Sequence, residues 1–168
     1  LTNQTATSKR PSWSRDGRFI YFSSDRTGRP QIWKVPRQGG DAVQITRGGG
    51  LYAVETFDGR AIYYTSDGAP ADVWTTSSNG GDESLVIRQM VGFSSIAMAR
   101  DGIYFLSSLS ASGAQLDFYR FSDQRTLGLA AIDRPVHRFL SSSPDGKSVL
   151  YSQIDQRDSD LMMIEGFR

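Results

Sequence analysis

The sequence predicts an all-β chain arranged as β-propeller blades, and three observations carry that prediction. A turn-forming Asp-Gly dipeptide recurs at Asp16-Gly17, Asp58-Gly59, Asp101-Gly102 and Asp145-Gly146, so the aspartates step by 42, 43 and 44 residues. After each comes a short β-branched and aromatic run: Ile20-Tyr21-Phe22, Ile62-Tyr63-Tyr64, Ile103-Tyr104-Phe105 and Val149-Leu150-Tyr151. Composition is the third: Gly 17 and Pro 6 in 168 residues, with 11% aromatic and 22% charged, suit a turn-rich β protein and leave a coiled coil or a disordered chain without support. Units of roughly 40–45 residues holding four short strands are the pattern of propeller blades, which bury one another's faces.

The elements follow in order within each unit. Asp-Gly suits a tight hairpin because glycine takes positive φ without steric cost, so each dipeptide joins an incoming strand to the aromatic run. The third copy lacks two residues after its Asp-Gly and predicts a tighter hairpin. A further strand is expected at Ile32-Trp33-Lys34-Val35, Val73-Trp74, Leu116 to Phe121 and Leu161-Met162-Met163-Ile164. Gly39-Gly40 and Gly80-Gly81 then turn the chain into a more polar edge strand, Ala42 to Thr46 and Glu83 to Val86. Phe19-Ile20-Tyr21-Phe22 is apolar at consecutive positions, so both faces of that strand need cover, which stacked blades supply. The expected organisation is one propeller segment over 1–168, with blades at about 9–46, 52–87, 93–128 and 136–165. It is expected to be part of a larger propeller of roughly six to eight blades.

The run Pro11-Ser12-Trp13-Ser14-Arg15-Asp16-Gly17-Arg18-Phe19-Ile20-Tyr21-Phe22-Ser23-Ser24-Asp25-Arg26, followed by Ile32-Trp33 and Gly39-Gly40, resembles the TolB-type, WD-like propeller repeat. Later copies keep parts of it, such as Thr65-Ser66-Asp67 and Ser143-Pro144-Asp145-Gly146. The resemblance implies the fold, and it implies an extracytoplasmic compartment over a cytoplasmic one. Such repeats occur in protein-binding propellers, in propellers attached to serine peptidases and in propellers fused to bacterial regulators and kinases.

Charge and motifs bound the chemistry. Lys+Arg 19 against Asp+Glu 18 leaves no broad basic footprint for nucleic acid, and no apolar run approaches the roughly 18 residues of a membrane span. Without cysteine there is no thiol nucleophile, disulfide or thiolate metal site. The one histidine, His137, is read as a polar residue near the channel and a candidate binding residue rather than a catalytic one, and no Gly-x-Ser-x-Gly occurs. Carboxylates in Asp155-Gln156-Arg157-Asp158-Ser159-Asp160 could ligate calcium, but Asp160 aligns with Asp72 and Asp117 before apolar strands, which reads as turn hydrogen bonding. Neither a metal nor a cofactor is therefore expected.

Trp33 and Trp74 stand at equivalent positions, matched by Tyr119 and Met162, and are expected to pack between blades. Trp13 stands at a position otherwise filled by Glu55, Met98 and Ser142, which makes it a candidate ligand contact near the channel or rim. Gly48-Gly49-Gly50 lacks the Lys-Ser/Thr and helix of a phosphate loop and reads as a flexible turn. Arg26, Arg29, Arg47, Arg88 and Arg157 are assigned to loops at one mouth of the channel, where guanidinium groups would hold an acidic peptide or ligand.

The function expected is a non-enzymatic binding or scaffold segment, the sensory or interaction part of a larger bacterial protein. The alternative is the noncatalytic propeller domain of a prolyl-oligopeptidase-like serine peptidase. Four blades alone would form an open arc whose unpaired edge invites association with a second copy, with direct closure into a four-bladed ring as the alternative.

Overall fold

The structure, a computed structural model, describes residues 6–90, 92, 95–110, 113–143, 145–146 and 148–153. Its described residues are all-β, in three four-stranded antiparallel sheets and one two-stranded sheet. Blade 1 holds β1 (Ser8–Trp13), β2 (Phe19–Ser24), β3 (Gln31–Pro36) and β4 (Val43–Gln44), and blade 2 holds β5 (Tyr52–Glu55), β6 (Ala61–Thr65), β7 (Ala71–Ser77) and β8 (Ser84–Met90). Blade 3 holds β9 (Ile96–Met98), β10 (Gly102–Ser110), β11 (Gly113–Arg120) and β12 (Arg125–Ile132), and β13 (Val136–Ser142) pairs with β14 (Val149–Gln153). Strands follow one another in sequence across each sheet, and the first strands meet in series, β1 against β5, β5 against β9 and β9 against β13. The expected third strand at Leu161–Ile164 and the acidic run 155–160 lie outside the described residues.

Three of the four Asp-Gly hairpins share one hydrogen-bonding scheme. In blade 1 the Ser14 hydroxyl donates to Asp16 Oδ1 at 2.7 Å and accepts the Phe19 amide at 2.9 Å, while Gly17 takes a φ of 68°. Thr56 repeats the scheme with Asp58 and Ala61, and Ser143 with Asp145 and Ser148. Blade 3 has Ala99 where the hydroxyl would stand, and there the turn shortens so that the Ala99 amide donates to the Gly102 carbonyl at 2.9 Å. The missing hydroxyl and the missing two residues belong together, since a two-residue loop closes through backbone bonds alone. Bonds from the Arg18 amide, the Ser14 hydroxyl and the Arg18 guanidinium hold the Asp16 carboxyl well below the usual carboxylate range. The Thr56 hydroxyl and the Arg60 amide lower Asp58 in the same way.

Three apolar layers lie between blades. Tyr21, Ile32, Ile45 and Ala53 pack with Ile62, Tyr64 and Trp74 between blades 1 and 2. Val73, Ile87 and Met90 meet Ile96, Ile103 and Phe105 between blades 2 and 3, and Leu106, Leu116, Val136 and Leu140 form the next layer. Polar bonds tie the inner strands, with Ser12 Oγ donating to the Ala53 carbonyl at 2.7 Å and Ser142 Oγ to the Met98 carbonyl at 2.6 Å.

Several local expectations need correction. Trp74 lies between blades, but Trp33 packs within blade 1 against Phe22 and Val35, on the face turned away from blade 2. The register pairs Phe22 with Trp33, Tyr64 with Trp74 and Phe105 with Asp117, so Asp117 rather than Tyr119 is the blade 3 counterpart. Asp72 and Asp117 accordingly stand inside β7 and β11 rather than before a strand. The edge strand of blade 1 is only Val43–Gln44, whereas that of blade 2 extends to Met90. The Gly48-Gly49-Gly50 turn is pinned: the Gly48 amide donates to Glu83, the Gly49 amide to Gln31 Oε1, and a Cβ at Gly50 would stand 2.6 Å from Ile32 Cγ1. Those glycines permit close approach of chain to chain.

Candidate functional site

In blades 1 to 3 the residue immediately before Asp-Gly is carried to the same end of the inner strands, and there it is Arg15, Phe57 and Arg100. The Arg15 guanidinium carbon lies 3.9 Å from the Phe57 ring centroid, and that of Arg100 lies 5.1 Å from it. Two cations thus share one half-buried ring, each attracted by its quadrupole. Arg15 Nε donates to the Glu55 carbonyl at 3.2 Å, which fixes the stem of the side chain. Partial burial lowers the Arg15 pKa, with Glu55 opposing and the Arg100 charge adding to the shift.

Beside this layer a cleft of about 640 Å³ opens between blades 1 and 2. Blade 1 contributes Arg15, Asp16, Arg18 and Lys34, and blade 2 contributes Glu55, Phe57, Asp58 and Asn79. Glu55 is only 6% exposed, and its carboxylate accepts the Tyr21 hydroxyl at 2.6 Å and the Arg15 amide at 2.5 Å. Burial and the Glu55 carboxylate push the Tyr21 phenol far above its usual range, so it remains a donor at any ordinary pH. Lys34 Nζ donates to the Ser78 carbonyl at 3.0 Å and to Asn79 Oδ1 at 3.1 Å, and burial lowers its pKa. A second cleft of about 320 Å³ on the same ring is lined by Thr56, Phe57, Asp58, Arg100 and Phe121.

The residues singled out from the sequence fall elsewhere. Arg26 Nε donates to Ser24 Oγ at 3.2 Å and its guanidinium stacks 4.5 Å from the Trp33 ring, with Nη2 buried and unbonded. Arg29 pairs with Asp67 at 3.2 Å and donates to the Gly48 carbonyl at 2.8 Å, so the loop after β2 and the loop after β4 do share one end. Arg47 is exposed in that second loop, its amide held by Glu83. Arg88 lies within β8, exposed on the edge strand rather than in a connecting loop as expected. Trp13 is 60% exposed at the end of β1, on the face of Ile20, its register partner. His137 belongs to β13, and Arg157 lies outside the described residues. Among the described residues no group of three or more His, Asp or Glu side chains is placed to hold a metal.

Arg15, Phe57 and Arg100 are not among the sequence-predicted site residues, because the Asp-Gly dipeptides signal turns and the column beside them carries no turn chemistry. That column, Arg-Phe-Arg followed by Pro144, carried the signal.

No protein-family model matches the chain. A 46-residue stretch is 46% identical to an uncharacterized protein of Agrobacterium fabrum, covering 27% of this chain and 16% of that protein. Among solved structures, TolB from Acinetobacter baumannii superposes with a TM-score of 0.64 at 17% identity, over 79% of this chain and 35% of that one. A chain of the nidogen/laminin complex gives 0.73 at 13% identity, over 91% of this chain and 59% of the other. A prolyl endopeptidase structure gives 0.60 at 9% identity, over 92% of this chain and 29% of its own. The chain therefore spans about a sixth of the curated relative and between a third and three-fifths of the first two structures. These likenesses establish a TolB-like β-propeller fold, here as part of a propeller.

Proposed function

We propose that this chain is a non-catalytic propeller segment that binds a protein or peptide partner, the interaction or sensory part of a larger bacterial protein in an extracytoplasmic setting. The observation that carries the reading is the cleft of about 640 Å³ between the hairpins of blades 1 and 2. Its size falls within the roughly 300–1,000 Å³ of ligand sites, and hydrogen-bonded hairpins form its walls. The non-catalytic part of the reading rests on a chain with one histidine, no cysteine and no Gly-x-Ser-x-Gly. Likeness to the prolyl endopeptidase structure favours a second reading, the propeller domain of such a peptidase, in which this segment again binds rather than cleaves.

Selection of a displayed random-peptide library on the immobilised chain tests the proposal. Enriched peptides should protect the amides of the Asp-Gly hairpins of blades 1 and 2 from hydrogen exchange. A selection that enriches nothing, or peptides that protect only other surfaces, would sink it.

Self-association belongs to the same proposal. Trp13 is 60% exposed on the face of blade 1 turned away from blade 2, and Leu150, at the position of Tyr21 and Tyr63, is 74% exposed in the last described strand. Both are apolar side chains at places that neighbouring blades cover elsewhere. Light scattering after size exclusion should give a mass near twice the 18.6 kDa of the chain, falling to that of the monomer in the Trp13→Glu/Leu150→Glu variant. A wild-type chain that is monomeric at all concentrations would contradict it.

A further inference from the structure

We infer that the free edge of β12 takes up an extended segment of a partner protein as a fifth strand of blade 3, an interaction separate from the cleft. β12 is the last strand of its sheet, paired with β11 on one side and, among the described residues, with no strand on the other. Of its eight residues, Arg125 to Ile132, all but Ile132 are exposed, and Leu127 and Leu129 are 38% and 49% exposed. Alternate residues of such a strand turn an unbonded N–H and C=O outward, a template for one more strand.

The outer strands of blades 1 and 2 do not offer this. β4 is two residues long, too short for a ladder. β8 has seven residues, but its register slips twice against β7, Gln89 takes a φ of 56°, and its exposed residues are Ser84, Arg88 and Gln89. Short length, irregular backbone and charge are the means by which sheet edges avoid pairing. β12 has no charge after Arg125 and no proline. Its one irregularity is a bulge at Leu129, which falls between the partners of Leu116 and Asp117 and adds twist while the strand runs on to Ile132.

Charges at the two ends set the chemistry of the occupant. Arg125 stands opposite Arg120 on the ladder, and Asp123 is taken by Arg120 through bonds of 3.0 and 2.6 Å. Like charges directly opposite each other destabilise a sheet, so an acid beside Arg125 is favoured. Just past the other end Asp133 is exposed, and among the described residues neither Arg125 nor Asp133 belongs to an ion pair. The segment that fits runs antiparallel to β12, the more stable pairing, with a basic residue beside Asp133, an acid beside Arg125 and uncharged β-formers between them that cover Leu127 and Leu129. A second copy would offer only its own β12, and two folded blades meeting along about 26 Å of strand bury less than the roughly 1,200 Å² of a stable dimer. A segment of a partner anchored elsewhere adds its ladder to that other contact.

The test is fluorescence anisotropy and amide hydrogen exchange on the 168-residue chain with the nonapeptide Lys-Thr-Val-Thr-Val-Thr-Val-Thr-Asp, fluorescein-labelled at its N-terminus and amidated. It should bind and slow the exchange of alternate amides between Arg125 and Ile132. The same peptide N-methylated at two adjacent central residues, which blocks both of its edges, should not bind. Leu127→Lys/Leu129→Lys should weaken binding at least roughly tenfold and Arg125→Gln about threefold. Arg88→Gln on β8 should leave it unchanged, and far-ultraviolet circular dichroism should show the same β spectrum for all variants. Absence of binding, equal binding of the N-methylated peptide, undiminished binding by the double-lysine variant, or slowed exchange confined to the Asp-Gly hairpins would each overturn the inference. So would β12 amides protected without peptide in proportion to chain concentration, which would give the edge to a second copy. No residue of β12 lines either hairpin cleft, so the library selection above succeeds or fails independently of this result.

Discussion

Trp33→Ala is expected to lower the unfolding free energy by about 3–5 kcal/mol, the range for truncating a buried aromatic. The indole is buried against Phe22 and Val35, and its Nε1 donates to the Ser24 carbonyl at 3.3 Å, so truncation leaves a cavity and removes that bond. Trp74 is half-buried and should cost less, about 2–3 kcal/mol, although it lies between two blades. Arg26→Ala should cost about 1 kcal/mol through loss of its stacking on Trp33. Urea unfolding followed by fluorescence separates the three, and a Trp33→Ala midpoint equal to that of Arg26→Ala would show that the indole is not packed.

Glu55→Leu should destabilise by about 2–4 kcal/mol, because it removes the acceptor of the Arg15 amide and leaves the Tyr21 hydroxyl only the Ser78 carbonyl at 3.4 Å. The Tyr21 side chain has no exposed surface. The bond joins blade 1 to blade 2, so its loss should also loosen the cleft. A double-mutant cycle with Tyr21→Phe and Glu55→Leu isolates it, with an expected coupling of about 1.5–3 kcal/mol for a hydrogen bond to a charged group. Coupling near zero would mean that Glu55 is held by Arg15 alone.

Sequence reading reached the blade, its strand order and its hairpins because those depend on local chemistry. The hydroxyl two places before the Asp-Gly of blades 1, 2 and 4, the glycine at positive φ and the shortened third turn act within a few residues of themselves. Trp33 and Trp74 show where that reading stopped. They match in the repeat and sit at the same register position, yet one packs inside its blade and the other between blades, because what covers a face depends on which neighbour is present.

The candidate site marks the same boundary. Arg26 and Arg29 were legible as exposed-loop cations, but only the folded chain shows that Trp33 and Asp67 engage them. Arg15, Phe57 and Arg100 are more than 40 residues apart in steps along the chain and meet only because three hairpins are stacked side by side. The sequence alone determined that this protein is a run of four-stranded β units, since strand period and turn residues are short-range properties. Tertiary structure alone decided which charges are answered and which remain open, because ion pairing depends on distances between blades that no local pattern encodes.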